Sequence, residues 1–134
     1  MSAVVLVTGG SRGIGAATAS LAAERGMSVA VNYRSDESSA RRVVEQCRAS
    51  GAAAVAIRGD VAVEADVVAM FDRAEETLGP VAVLVNNAGI LETQCRFDEM
   101  SVERWRRVID INVLGAFICA REAVRRMSTR YGGT

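Results

Sequence analysis

The sequence predicts an α/β fold with a doubly wound parallel sheet, and three observations predict it. Short runs rich in Val, Ala and Ile alternate with longer segments of helical period. Glycine, or Gly79-Pro80, stands at the joints between them. Most of the short runs are apolar on both faces, as strands of a parallel sheet covered by helices must be.

The first strand is predicted at 3–7, where Val4, Val5, Leu6 and Val7 follow one another, and it ends in the stretch TGGSRGIG at 8–15. A helix begins near Ile14, carries Ile14, Ala17, Leu21 and Ala22 on its predicted inward face, and stops at Gly26, a suitable C′ residue. A second strand at 28–33 leads into a helix at 36–50 that buries Ala40, Val43, Val44 and Cys47 before Gly51. A third strand at 53–58 precedes a helix that places Val67, Val68, Phe71, Ala74 and Leu78 on one stripe and ends at Gly79-Pro80. After a fourth strand at 81–86, one long helix is predicted over 102–130. Ser101 is its N-cap, and Trp105, Ile109, Ala116, Ala120 and Met127 face inward. Residues 131–134 read as the lead-in to another strand.

Composition narrows the function. A chain of 134 residues, 50% hydrophobic, suits one compact domain. Its 16 basic residues are all arginine and are balanced by 16 acidic ones, which argues against nucleic acid and favours a small partner. No uncharged stretch approaches a membrane span and no secretory signal pattern opens the chain, so it reads as cytoplasmic with no membrane partner. Cys47, Cys95 and Cys119 are odd in number, and the sequence has no His. They read as free thiols, Cys47 and Cys119 as packing residues, with no disulfide framework and no metal site.

The glycine-rich bend carries the chemistry. A tight strand-to-helix turn leaves the first helical N–H groups unpaired and aims the positive end of the helix dipole at its occupant, which favours a phosphate. Gly9, Gly13 and Gly15 remove side chains where backbone and ligand must approach. Glycines that merely close the turn are the other reading. TGGSRGIG resembles the TGxxxGxG cofactor motif of the short-chain dehydrogenase/reductase family. Asn86-Asn87-Ala88-Gly89 resembles that family's second marker, and Asp60-Val61 and Asn112 match two further positions. The four matches run in order through the chain, with a general likeness to bacterial 3-oxoacyl-carrier-protein reductases and glucose dehydrogenases.

The resemblance implies a Rossmann fold with strand order 3-2-1-4 and an NAD(P)-binding domain over 1–134. It places Thr8, Gly9, Ser11, Arg12, Gly13, Ile14 and Gly15 at the cofactor. Asp60 would accept from the adenine amino group and Val61 donate through its backbone; an Asp60 that caps the next helix is the alternative. Asn86 would brace the sheet, while Asn87, Ala88 and Gly89 lie near the nicotinamide-side ribose; a plain turn is the alternative. Asn112, polar on an apolar stripe, would hold a water in the proton relay to a catalytic lysine, or else be satisfied by neighbouring backbone. Gln94, Cys95 and Phe97 would begin the substrate pocket, or lie in a surface loop.

Arg34 decides the expected dinucleotide. NAD-preferring relatives carry an acid where this chain has Tyr33, and the guanidinium of Arg34, with Arg12 opposite, suits a 2′-phosphate. NADP(H) is therefore favoured, with NAD(H) kept open because Asp36 lies at the distance of a ribose-binding acid. Asp36 is read instead as the N-terminal residue of the second helix, where its charge suits the dipole.

In this family a Ser, a Tyr and a Lys four residues after the Tyr complete the reaction with a carbonyl or alcohol substrate. The sequence contains no Lys. The chain is therefore expected to be the N-terminal part of a longer enzyme, with binding but no turnover alone. Its fourth strand would have an open edge, and the resemblance implies a homo-oligomeric parent, dimer or tetramer. A non-catalytic nucleotide-binding or interaction fragment is the second reading. A methyltransferase-like Rossmann enzyme is the third, although it explains neither 86–89 nor Asn112.

Overall fold

The apolar runs assemble as their two-sided hydrophobicity demands, in a computed structural model that describes residues 2–133. Strands β1 (Val4–Val7), β2 (Ser28–Tyr33), β3 (Ala54–Arg58) and β4 (Val81–Val85) pair in parallel in the order β3-β2-β1-β4. Each lies within one residue of its expected bounds. Every residue of β1 and β2 is buried, as befits the two central strands.

Strand alternation divides the interior into two cores. Val5, Val7, Val29 and Val31 face helices α1 (Gly13–Glu24) and α2 (Glu37–Ala49), against Ala19, Ala23, Val43, Val44 and Cys47. Val4, Leu6 and Ala30 face the other way, onto α3 (Glu64–Leu78) and α5 (Ala116–Met127), against Met70, Phe71, Cys119 and Ala123. Arg126 ties these two helices together, bonding Asp72 and Glu75 of α3 at 2.7 and 2.8 Å and Glu122 of α5 at 2.8 Å. Among the described residues no helix is long and apolar enough to cross a membrane.

Three expectations need correction. The buried face of α1 is Gly15, Ala19 and Ala23, whereas Ile14 is 80% exposed and Ala17 and Leu21 also face out. Small residues let the helix lie close to the sheet, and close packing outweighs the burial of the larger side chains. The expected single helix over 102–130 is three segments: α4 (Val102–Ile109), a π-helical stretch Asp110–Gly115, and α5, followed by a 3₁₀ turn at Thr129–Tyr131. The wider π turns rotate the buried stripe. Ile111, Gly115, Cys119 and Ala123 are inside, while Ile109 and Ala120 are exposed. The strand lead-in expected at 131–134 is instead the end of that turn and a left-handed Gly132; Thr134 lies outside the described residues.

Candidate functional site

The order β3-β2-β1-β4 sends the chain to opposite sides of β1, so a crevice opens at the carboxyl ends of β1 and β4. Two buried polar side chains build its walls. Thr8, wholly buried at the end of β1, accepts from the main-chain N–H groups of Asn87 and Ala88, both at 3.0 Å. This hydroxyl welds the glycine bend to the segment after β4. Asn32, 2% exposed in β2, accepts from the Gly9 N–H at 3.1 Å and donates to the Gly59 carbonyl at 3.1 Å and the Ile57 carbonyl at 3.3 Å. It thereby fixes the bend to the end of β3. Sequence reasoning missed Asn32, although a lone amide in an apolar buried strand was the available signal.

The glycines divide their labour. A Cβ on Gly9 would stand 2.9 Å from Ala88 Cα, and one on Gly15 would stand 2.5 Å from Gly9 O and from Asn87 Nδ2. Both serve close packing inside the protein. Gly13, with φ +58°, has no neighbour within 4 Å of such a Cβ and is required for the backbone turn. The helix it opens has no side-chain cap from Arg12 and no acid in its first turn, so its positive end is left free.

Over this bend lies a cavity of about 350 Å³. Of the expected cofactor residues, Gly9, Ser11, Arg12, Ile14, Tyr33, Arg34, Asp60, Val61, Asn87, Ala88 and Gly89 line it together. Thr8, Gly13 and Gly15 do not line it: Thr8 and Gly15 are buried, and Gly13 is exposed at the bend. Asn32, Ser35, Asp36, Gly59, Ile90 and Ile111 complete the wall.

Each remaining polar residue has a definite partner. Asp36 caps α2, accepting from the Ser39 N–H at 3.1 Å, and that residue's hydrogen bonds hold its carboxyl below the usual carboxylate range. Asp60 accepts from Ala62 N–H at 2.9 Å rather than capping α3, whose N-cap is Val63. The brace expected of Asn86 is made by Asn87, whose amide donates to the carbonyls of Thr8 and Gly9 at 3.0 and 3.1 Å. Asn86 instead donates to Ala116 O at 2.7 Å. Asn112 clamps Ile90, accepting from its N–H at 2.7 Å and donating to its carbonyl at 2.9 Å. Its amide thus fixes the Ile90 backbone to the π-helical stretch. Gly115, in the same π-helical stretch, admits Val61: a Cβ there would stand 2.6 Å from Val61 Cγ2.

Gln94 and Cys95 border a separate apolar cleft with Leu91, Trp105 and Ile109. Phe97 stacks on Trp105 with ring centroids 5.4 Å apart. Arg104 donates to Cys95 Sγ at 3.0 Å, and Arg107 pairs with Glu92. Cys47, Cys95 and Cys119 are free thiols, and burial pushes Cys119 up to about 11. Among the described residues, no group of acid and thiol side chains could hold a metal ion.

A family model described as short chain dehydrogenase matches residues 3–134. The chain is 48% identical over 132 residues to an uncharacterized oxidoreductase, YgfF, of Escherichia coli K12, covering 98% of this chain and 53% of that one. It is 46% identical over 120 residues to a 3beta-hydroxysteroid dehydrogenase of Eggerthella lenta, covering 90% and 46%. A solved mutant short-chain dehydrogenase/reductase of Serratia marcescens superposes with a TM-score of 0.87 at 34% identity, covering 93% of this chain and 51% of that one. The chain spans about half the length of these relatives.

Proposed function

The chain belongs to the short-chain dehydrogenase family, and on that premise we propose that it forms the dinucleotide-binding half of an NADP(H)-dependent oxidoreductase. The cofactor, when bound, supplies the hydride that passes between nicotinamide and a small carbonyl or alcohol substrate. One observation carries the reading: Arg12 and Arg34 line the same cavity as the glycine bend, Asp60 and Ala88.

The residues present fit such a cofactor. The uncapped N-terminus of α1 offers free N–H groups to a pyrophosphate. At the far end Tyr33 brings no carboxylate to the ribose, and the nearby acid, Asp36, is committed to Ser39. Arg34 is left to meet a 2′-phosphate, with Arg12 across the cavity. Asp60 takes the adenine amino group and the main chain of Ala88 and Gly89 supports the second ribose. Thr8, Asn32 and Asn87 hold these segments, and Asn112 positions Ile90. The proton steps belong to the Ser, Tyr and Lys that the family carries further along its chains. The same reading makes the whole enzyme a homo-oligomer, supported by the exposed apolar side chains Ile109 of α4 and Phe117 and Val124 of α5.

Reversing the charge at Arg34, which is exposed and makes no ion pair among the described residues, tests the cofactor assignment. Arg34→Asp is expected to weaken NADPH binding by roughly tenfold or more, the scale of one charge-assisted contact, and to leave or improve NADH binding. Equal NADPH affinity before and after the change would remove the assignment.

A further inference from the structure

A second cavity, of about 490 Å³, adjoins the first at its adenine end. Arg34 borders both cavities, and Arg58 borders the second. Arg58 is the last residue of β3, in register with Tyr33 of β2, and the Gly59 N–H that follows it donates to Tyr33 O at 2.9 Å. The ends of β2 and β3 thus place Arg34 and Arg58 on the wall of one cavity. Both arginines are exposed, and neither stands in an ion pair among the described residues. Arg107, on the same cavity, is already paired with Glu92.

We propose that Arg58 is a second phosphate-selecting residue, acting with Arg34 on the phosphate at the 2′ position of the adenosine ribose. Preference for the phosphorylated nucleotide is then set from β3 as well as from β2. The inference rests on the dinucleotide reading above and extends it to a residue outside the glycine bend and the β2 turn. Acids share the lining and shape the choice of ligand. Asp60, Asp66 and Asp110 border the second cavity, so a bare phosphate meets opposing charge there. An adenine nucleotide meets both signs productively, its amino group at Asp60 and its 2′-phosphate at the two arginines.

Calorimetric titration of the full chain with adenosine 2′-monophosphate and adenosine 5′-monophosphate tests this, with wild type, Arg58→Ala and Arg34→Ala in parallel. Wild type is expected to bind the 2′ isomer more tightly. Arg58→Ala is expected to lose about tenfold in affinity for the 2′ isomer, the lower end for a hydrogen bond to a charged group, and nothing for the 5′ isomer. Thermal unfolding checks each variant, and Arg58→Gln replaces any Ala variant that melts early. If Arg34→Ala weakens the 2′ isomer and Arg58→Ala does not, the role of Arg58 is overturned and the NADP(H) reading stands. If wild type binds both isomers equally, both fall, and so they do if it binds neither.

Discussion

Replacing Thr8 by Val would expose how far the site depends on one hydroxyl. The side chain is wholly buried and its oxygen stands 3.0 Å from the amide nitrogens of both Asn87 and Ala88. Valine matches threonine in shape, so the change opens no cavity. It leaves two amides without their acceptor and puts a methyl where carbon needs about 3.5 Å of separation. Each orphaned group costs about 1–3 kcal/mol if no water reaches it. The surroundings of these amides are part-buried, so the lower half of that range applies to each, and Thr8→Val should cost about 2–4 kcal/mol in all. Thr8→Ser keeps the acceptor and loses one methyl, at about 1 kcal/mol. Urea unfolding followed by circular dichroism reads both, with the slope expected to stay constant. NADPH affinity should fall with Val and persist with Ser. A valine variant as stable as wild type, or a serine variant less stable than the valine one, would refute the role given to the hydroxyl.

Two further outcomes follow from the bend and the core. Gly13→Ala meets no neighbour within 4 Å and should cost only the roughly 1–2 kcal/mol of a left-handed residue, whereas Gly15→Ala, with its Cβ 2.5 Å from Gly9 O, should melt markedly lower in a thermal scan. The Cys119 thiol, ordinarily near 9.0, is pushed up to about 11 by burial, so the folded chain keeps a proton that the unfolded chain loses between those values. Stability from this group is therefore full below about pH 9 and falls as pH rises through about 11. Urea midpoints measured across that window should fall less steeply in Cys119→Ala than in wild type.

Strand positions and the glycine bend were legible because parallel strands buried on both faces show as uninterrupted apolar runs, and because a tight strand-to-helix turn with close backbone packing demands glycine. Helix faces were less so. In α1 the residues nearest the sheet are Gly15, Ala19 and Ala23, chosen for small size, which a search for the most hydrophobic stripe ranks below Ile14 and Leu21. In the segment after Ser101 the π-helical stretch Asp110–Gly115 shifts the period midway, and a constant 3.6-residue repeat cannot follow it. The uses of the amides were also hidden. Spacing cannot say that Asn87 rather than Asn86 reaches back to Thr8, or that Asn32 joins three strand ends, because these contacts depend on which way each side chain leaves its backbone.

Titration of the unmodified chain with NADPH and with NADH, each by calorimetry under one buffer and salt, tests the central claim most directly. The account predicts saturable binding of both at one site, with NADPH tighter by about tenfold or more, as befits a phosphate met by arginine. Absence of binding by either dinucleotide, or tighter binding of NADH, would contradict it.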